Sequence, residues 1–280
     1  MTSHTQDPPR RQDATDGVPK PHVVAIVFGR KNSQGLPGKN LWPILGRPLT
    51  VYPLLAARHA ASVTQLYVST NSEEIARVGA AFGARWLPRP DALADDHALL
   101  EDAMAATYQQ LLTVDPRVPD AVVALLSNAA TVPPGAIDEA VHRLQADPSL
   151  DSVATVTRWN QYTPVRARVV GPDGLLHTFL PEEQLVKATC DRNTAGDIYF
   201  VDAALSVVRP RALEHLHEGS PPFRWLGRRI WPMVQRGGLD VDDEEGLVLT
   251  EHWLRRYGFT ETTTPYEASG ASAAMGKVSG

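Results

Sequence analysis

Apolar positions along this chain fall into short continuous runs rather than a sustained alternation. The stretches Val23 to Phe28 (VVAIVF) and Asp120 to Leu126 (DAVVALL) carry no period-two polar face. That is the pattern of strands covered on both sides within a parallel sheet. Gln65 to Ser69, Arg85 to Leu87, Ser152 to Val156 and Gly196 to Val201 read as further short strands. Between them Leu49 to Ser62 places Leu49, Tyr52, Leu55, Ala56 and His59 on one helical face. Ser72 precedes Glu73 and Glu74 as a helix cap before an acidic first turn, and Gly83 stops that helix after Phe82. Helices are also predicted up to Leu112, over Ala136 to Gln145, and around Leu247 to Leu254. Strands alternating with helices predict an α/β domain with a mostly parallel central sheet flanked by helices.

The first strand empties into a polar loop holding Arg30, Lys31, Ser33, Gly35, Pro37, Gly38, Lys39 and Asn40. Glycines admit close backbone approach, amide N–H groups can turn inward, and the cations neutralise charge, so the loop suits phosphates. A solvated basic loop is the plainer alternative. Neither G-x-x-x-x-G-K-[ST] nor G-x-G-x-x-G occurs, which excludes the P-loop and dinucleotide fingerprints. Near the other end, Leu239-Asp240-Val241-Asp242 reads as a strand that sends the Asp240 and Asp242 carboxylates to one side. Such hard oxygen ligands suit Mg²⁺, which binds through one or two carboxylates plus substrate phosphates. Asp243 to Glu245 read as the acidic first turn of the helix that follows.

With 280 residues, 43% of them hydrophobic, the chain can bury one large core. A net charge of -5 and a pI near 6.0 argue against nucleic acid or an anionic membrane as partner, so the basic loop points to a small anion. Cys190 stands alone, which excludes an intramolecular disulfide, fits a reducing cytoplasm, and reads as a buried structural thiol. Met1 to Lys20 and Thr260 to Gly280 read as disordered tails around a domain at 21–259. No apolar run approaches the roughly 20 residues of a membrane span, so a soluble cytoplasmic protein is expected.

The motif R-x-x-S-x-G-L-P-G-K-N, from Arg30 to Asn40, resembles the activated-sugar-acid cytidylyltransferases, the family of the CMP-sialate and CMP-KDO synthetases. Arg89-Pro90-Asp91-Ala92-Leu93-Ala94-Asp95-Asp96-His97-Ala98, the strand at Gly196 to Val201, and Asp240-Val241-Asp242 are similar to that family's later motifs. The resemblance implies a Rossmann-like nucleotidyltransferase fold with a small projecting dimerisation arm at about 158–190, and a homodimer. Trp159, Tyr162, Val165, Val169, Leu176 and Phe179 would supply the arm's interface, unless the segment is a hairpin over the domain's own core. It further implies CTP binding by Arg30, Ser33, Lys39, Asn40, Arg89, Asp96 and Ala98, catalysis by Arg30 and Lys39, and Mg²⁺ on Asp240 and Asp242. Asp96 is expected to cap the following helix as well.

Acceptor contacts are expected from Ser127, Asn128, Arg192 and Asn193, with a surface ion pair as the alternative for Arg192. The family's polar Gln-Pro-Thr-Ser-type turn is Ser127-Asn128-Ala129-Ala130 here, Asp197 replaces a small residue, and Gly246 stands where a later Asp is common. The expected activity is transfer of CMP from CTP to a small acidic acceptor with release of pyrophosphate. Loss of the sugar-contacting turn favours a phosphonate such as phosphonoformate, as in the family's phosphonate cytidylyltransferase branch serving natural-product biosynthesis. The alternatives are a CMP-sugar-acid synthetase acting on a 3-deoxy-2-ulosonate, and a nucleotide-binding protein without catalysis.

Overall fold

A computed structural model describes residues 20–33, 35–191 and 196–266. In chain order the elements are β1 (Val23–Phe28), β2 (Pro43–Ile44), β3 (Arg47–Pro48), α1 (Val51–His59), β4 (Gln65–Thr70), α2 (Glu73–Ala81), β5 (Arg85–Pro88), α3 (Leu100–Val114), β6 (Ala121–Leu126) and α4 (Pro134–Ala146). Then follow β7 (Ser152–Arg158), β8 (Arg168–Val170), β9 (Leu176–Thr178), α5 (Glu182–Leu185), β10 (Tyr199–Val208), α6 (Pro210–Glu214), β11 (Ile230–Val234) and α7 (Glu244–Arg256). The main sheet has seven strands in the order β11-β7-β10-β6-β1-β4-β5. β1 pairs in parallel with both β4 and β6, and β10 alone runs antiparallel, between β6 and β7. The predicted α/β class with a mostly parallel sheet flanked by helices is the observed one.

All six residues of β1 are buried, and they divide between two cores. Val23, Ala25 and Val27 pack with Leu54 and Ala57 of α1 and with Ile137, Val141 and Leu144 of α4. Val24, Ile26 and Phe28 pack on the other face with Met104, Tyr108 and Leu111 of α3. The helices thus form a layer on each side of the sheet. A third cluster joins Leu36 of the polar loop, Tyr52 of α1, Val241, and Leu254 and Phe259. It ties the segment carrying the paired aspartates to the loop after β1.

Several expectations change. α1 is buried from Val51 to Ala57 rather than along one stripe, because sheet and neighbouring helices enclose it. β10 continues past Val201 to Val208, through a register shift between Val201 and Ser206 where Ala203 takes a left-handed φ of 56°. A bulge interrupts alternation, so the strand's second half does not read as one piece. β11 lies at the sheet edge, where Pro232 is tolerated; inside a run, a proline speaks against a strand. Asp240 and Asp242 are not in a strand, since β pairing ends at Val234. Cys190 is exposed rather than a buried structural thiol. β8 and β9 form a hairpin whose Val170 and Leu176 are 71% and 73% exposed, so this segment projects instead of covering the domain's own core.

The domain boundary also moves. The Tyr266 ring packs edge-on to Phe259 at 5.3 Å and lies 5.7 Å from His59 of α1, and Arg47 donates to the Thr260 carbonyl at 2.6 Å. Residues 260–266 therefore belong to the packed domain, while the rest of the expected tails, 1–19 and 267–280, lies outside the described residues. No helix among the described residues is long and apolar enough to cross a membrane. Tyr266→Ala is expected to lower the unfolding free energy by about 1.5–3 kcal/mol, the worth of one large apolar side chain's burial. A urea melt reads the change as a shifted midpoint, and an unshifted midpoint would return the boundary to Phe259.

Candidate active site

The C-terminal edge of the parallel strands is where an open α/β sheet receives its ligand. Here Gly29 N–H donates to the Ser69 carbonyl at 3.1 Å, and Ser127 N–H donates to the Phe28 carbonyl at 2.9 Å. The exits of β1, β4 and β6 are thereby pinned side by side. Around them lies a cleft of about 510 Å³, lined by Phe28, Gly29, Arg30, Ser33, Gly35, Lys39, Asn40, Arg89, Ala98, Asn128, Asp240 and Asp242, among others.

Most of the predicted site residues meet there. Arg30, Ser33, Lys39, Asn40, Arg89, Asp96, Ala98, Asn128, Asp240 and Asp242 all line the cleft, drawn from four separate stretches of sequence. Ser127 does not. Its side chain is buried behind the cleft, where Oγ accepts from Thr50 Oγ1 at 3.1 Å, so it braces the turn rather than meeting an acceptor. Arg192 and Asn193 fall outside the described residues.

The loop after β1 is shaped by close contacts. A Cβ at Gly29 would stand 2.3 Å from Ser127 Oγ, and one at Gly35 would stand 2.4 Å from the Asp242 carbonyl oxygen. Gly35 thus lets the loop pass against the aspartate segment, a role visible only once the two are adjacent. Asn40 is buried, and its Nδ2 donates to the Arg30 carbonyl at 2.9 Å, closing the loop on itself. Lys39 does not stand free in solvent. Its side chain is only 13% exposed, and Nζ pairs with Asp242 Oδ1.

The other cations are equally constrained. Arg30 Nη1 lies 3.1 Å from Asp96 Oδ1 and donates to the Asp95 carbonyl at 2.7 Å. Asp96 therefore holds Arg30 and does not cap α3, where the N-cap residue is Leu99 and no side-chain cap bond is made. It is Asp95 that accepts from the His97 and Ala98 amides, both at 2.8 Å. Arg89 is buried, donates from Nη2 to the Ser69 carbonyl at 2.9 Å, and sits 5.7 Å from the centre of the Phe28 ring. Burial, and then the Arg30 charge, push the Arg89 guanidinium down to about 10.

Asp240 and Asp242 keep the expected alternation without a strand. Val241 between them is fully buried in the third apolar cluster, which turns both neighbours toward the cleft. Asp243 caps α7 by accepting from Gly246 N–H at 2.7 Å, and Glu244 and Glu245 form the acidic first turn. The Asp240 residue is open to solvent at the cleft's mouth, yet the protein crowded about its carboxyl, followed by the Asp242 charge, pushes it up to about 6. A carboxylate pair that resists ionising together is one that a hard cation would relieve. Among the described residues no cluster of three or more metal-ligating side chains occurs. A two-carboxylate donor set with room for phosphate oxygens fits Mg²⁺ and fits poorly a metal demanding an all-protein cage.

The family model described as cytidylyltransferase matches residues 24–170, more than half of the chain. The chain is a member of the cytidylyltransferase family. The matched span of this cytidylyltransferase domain runs from β1 through the hairpin strand β8. The N-acylneuraminate cytidylyltransferase A of Danio rerio is 28% identical over 141 residues, 50% of this chain and 31% of that protein. The 3-deoxy-manno-octulosonate cytidylyltransferase of Anaeromyxobacter sp. is 26% identical over 238 residues, 83% of this chain and 86% of that protein. The chain spans about a third or less of the length of the acylneuraminate relatives it matches. A solved structure of CMP:2-keto-3-deoxy-manno-octonic acid synthetase complexed with CTP superposes with a TM-score of 0.62, covering 84% of this chain and 99% of that one. At 17% identity this likeness establishes the shared fold.

The raised Asp240 carboxyl has a consequence for stability. The unfolded chain ionises this side chain near pH 4, and the folded protein resists until about pH 6. Folding is therefore penalised increasingly as pH rises between those values, and the penalty is complete above them. Asp240→Asn removes it. In buffer free of divalent ions the variant should melt above the wild type at about pH 7.5, with the gap closing toward about pH 4. A gap constant across that range would mean that Asp240 ionises like a solvated carboxylate.

Proposed function

We propose that this protein transfers CMP from CTP to a small acidic acceptor and releases pyrophosphate. The observation that carries the reading is the opposition, within one cleft at the sheet edge, of Arg30 and Lys39 to Asp240 and Asp242. A nucleoside triphosphate needs cations at its phosphates, and its metal needs carboxylates beside them. The acceptor oxygen attacks the α-phosphorus, the bond to the bridging oxygen of the β-phosphate breaks, and pyrophosphate leaves with that electron pair. Arg30 and Lys39 carry the charge that develops on the α-phosphoryl and leaving-group oxygens. Ser33 donates a hydrogen bond to the phosphates. Asn40 holds the loop in shape through the Arg30 carbonyl and lies beside the nucleotide.

Arg89, Ala98, Leu93, Leu100 and Ala103 are among the cleft's lining residues, and these small and apolar side chains beside a guanidinium suit a pyrimidine base. Arg89 is anchored there by Ser69 and Asp96 steadies Arg30. Mg²⁺ held by Asp240 and Asp242 would supply a hard positive charge for the phosphate oxygens and for the attacking acceptor oxygen.

For the acceptor, the phosphonate reading rests on the turn after β6. Ser127, Ala129 and Ala130 are buried, so a polyhydroxylated acid would find few side chains there. The names of the relatives favour a second reading, a 3-deoxy-2-ulosonate acceptor of the KDO or sialate type. Pyrophosphate release with CTP, measured across small phosphonates, KDO and sialic acids, distinguishes them. Equal use of ATP and GTP would sink the cytidylyl reading altogether. CTP binding without turnover on any acid would leave a nucleotide-binding protein.

Lys39→Ala should cut turnover by about 10²–10³, the worth of one charge-stabilising donor. Steady-state kinetics at saturating CTP check this, and near wild-type turnover would remove Lys39 from the chemistry. A homodimer through the projecting hairpin is also proposed, supported by the exposure of Val170, Leu176 and Phe179. Sedimentation should show a dimer that Leu176→Glu converts to monomer.

A further inference from the structure

The turn that follows β6 does something other than meet an acceptor. We propose that Asn128 is a positioning residue for the cation-binding carboxylates, fixing Asp240 from behind rather than contacting the acid that receives CMP. This rests on the cytidylyltransferase reading of the cleft.

Asn128 Nδ2 donates to Asp240 Oδ1 and, at 3.2 Å, to the Val241 carbonyl. Both partners are pure acceptors, so the amide can sit only with its nitrogen toward them. Its two N–H donors are then consumed inside the protein. What remains is the side-chain carbonyl oxygen, an acceptor that an anionic carboxylate or phosphonate would avoid. Asn128 therefore has no donor left for the group that the resemblance assigns to it.

The surrounding bonds point the same way. Val241 N–H donates to the Asn128 carbonyl at 3.1 Å, and Leu239 N–H donates to Thr131 Oγ1 at 3.1 Å. Residues 128–131 thus hold the 239–241 segment as a neighbouring strand would, although no strand is formed there. This is how Asp240 and Asp242 keep an alternating geometry beyond the last β pairing. Asn128 adds a side-chain bond to the carboxylate itself, which fixes the rotamer of one ligand of the pair. Asp240 is engaged through Oδ1, and Oδ2 points no such bond at Asn128. A bond of this kind costs the site nothing in charge, and groups that orient a metal ligand typically contribute about 10–100-fold in metal affinity.

The test uses Asn128→Ala in the full chain, with Asn128→Leu, closer in volume, as the second variant if the alanine protein fails to fold. Mn²⁺ is the probe, titrated alone and with a non-hydrolysable CTP analogue, and free ion is read by electron paramagnetic resonance. The expected result is Mn²⁺ binding weakened by about tenfold, a matching rise in the Mg²⁺ concentration needed for half-maximal turnover, and recovery at high Mg²⁺. The acceptor KM at saturating Mg²⁺ should stay unchanged. Unaltered Mn²⁺ affinity, or a raised acceptor KM with an unaltered Mg²⁺ requirement, would overturn the proposal in favour of direct acceptor contact. A wild-type protein that binds no Mn²⁺ would overturn it as well. If the wild type binds Mn²⁺ but releases no pyrophosphate with any acid, the function assigned to the cleft fails while the binding arm still decides the role of Asn128.

Discussion

Burial of β1 on both faces is the constraint from which the rest of the cleft follows. Each of its six side chains is committed to one of two cores, alternating along the strand. A slip of one residue would exchange the two sets, moving Ile26 and Phe28 from the α3 side to the α1 and α4 side. Register is therefore fixed, and so is the point where the strand ends. The neighbours β4 and β6 inherit that alignment through parallel pairing, Phe28 standing opposite Ser69 on one side and Leu126 on the other. Three strand exits at one level make the floor on which the polar loop and the turn at residues 127–131 stand.

Above that floor, charged groups are held together against their preference. Arg30 depresses Arg89, and Asp242 raises Asp240, each in addition to the larger effect of burial. Such arrangements persist only where packing elsewhere determines the backbone. The third apolar cluster does this work here. Leu36 from the loop, Val241 from between the aspartates, and Leu254 and Phe259 from the C-terminal helix and its exit share one small core. Burying Val241 brings both carboxylates to the cleft at once. The absence of a Cβ at Gly35 allows the loop to close against them.

Much of this was legible beforehand, and the reason differs between the parts. The buried strands Val23–Phe28 and Ala121–Leu126 announce themselves because a segment covered on both faces tolerates no polar alternation. The cap at Ser72 and the stop at Gly83 are local chemistry, and local chemistry is written in neighbouring letters. β11 and the second half of β10 were not legible, since an edge position excuses a proline and a bulge breaks the period. Ser127 as an acceptor contact and Asp96 as a helix cap were misread for a common reason. Each has a partner, Thr50 or Arg30, more than 60 residues away in sequence.

The sequence by itself determined the fold class, the family and the set of residues that converge on the cleft, because periodicity and an ordered motif are properties of short stretches. Tertiary structure alone decided what each side chain is free to do. Whether Asn128 has a donor to spare, whether Lys39 is exposed, and whether Asp240 ionises easily depend on groups brought within about 3–4 Å from distant parts of the chain, where hydrogen bonds and desolvation act. The residue types name the chemistry available, and the long-range contacts settle which of it is already used.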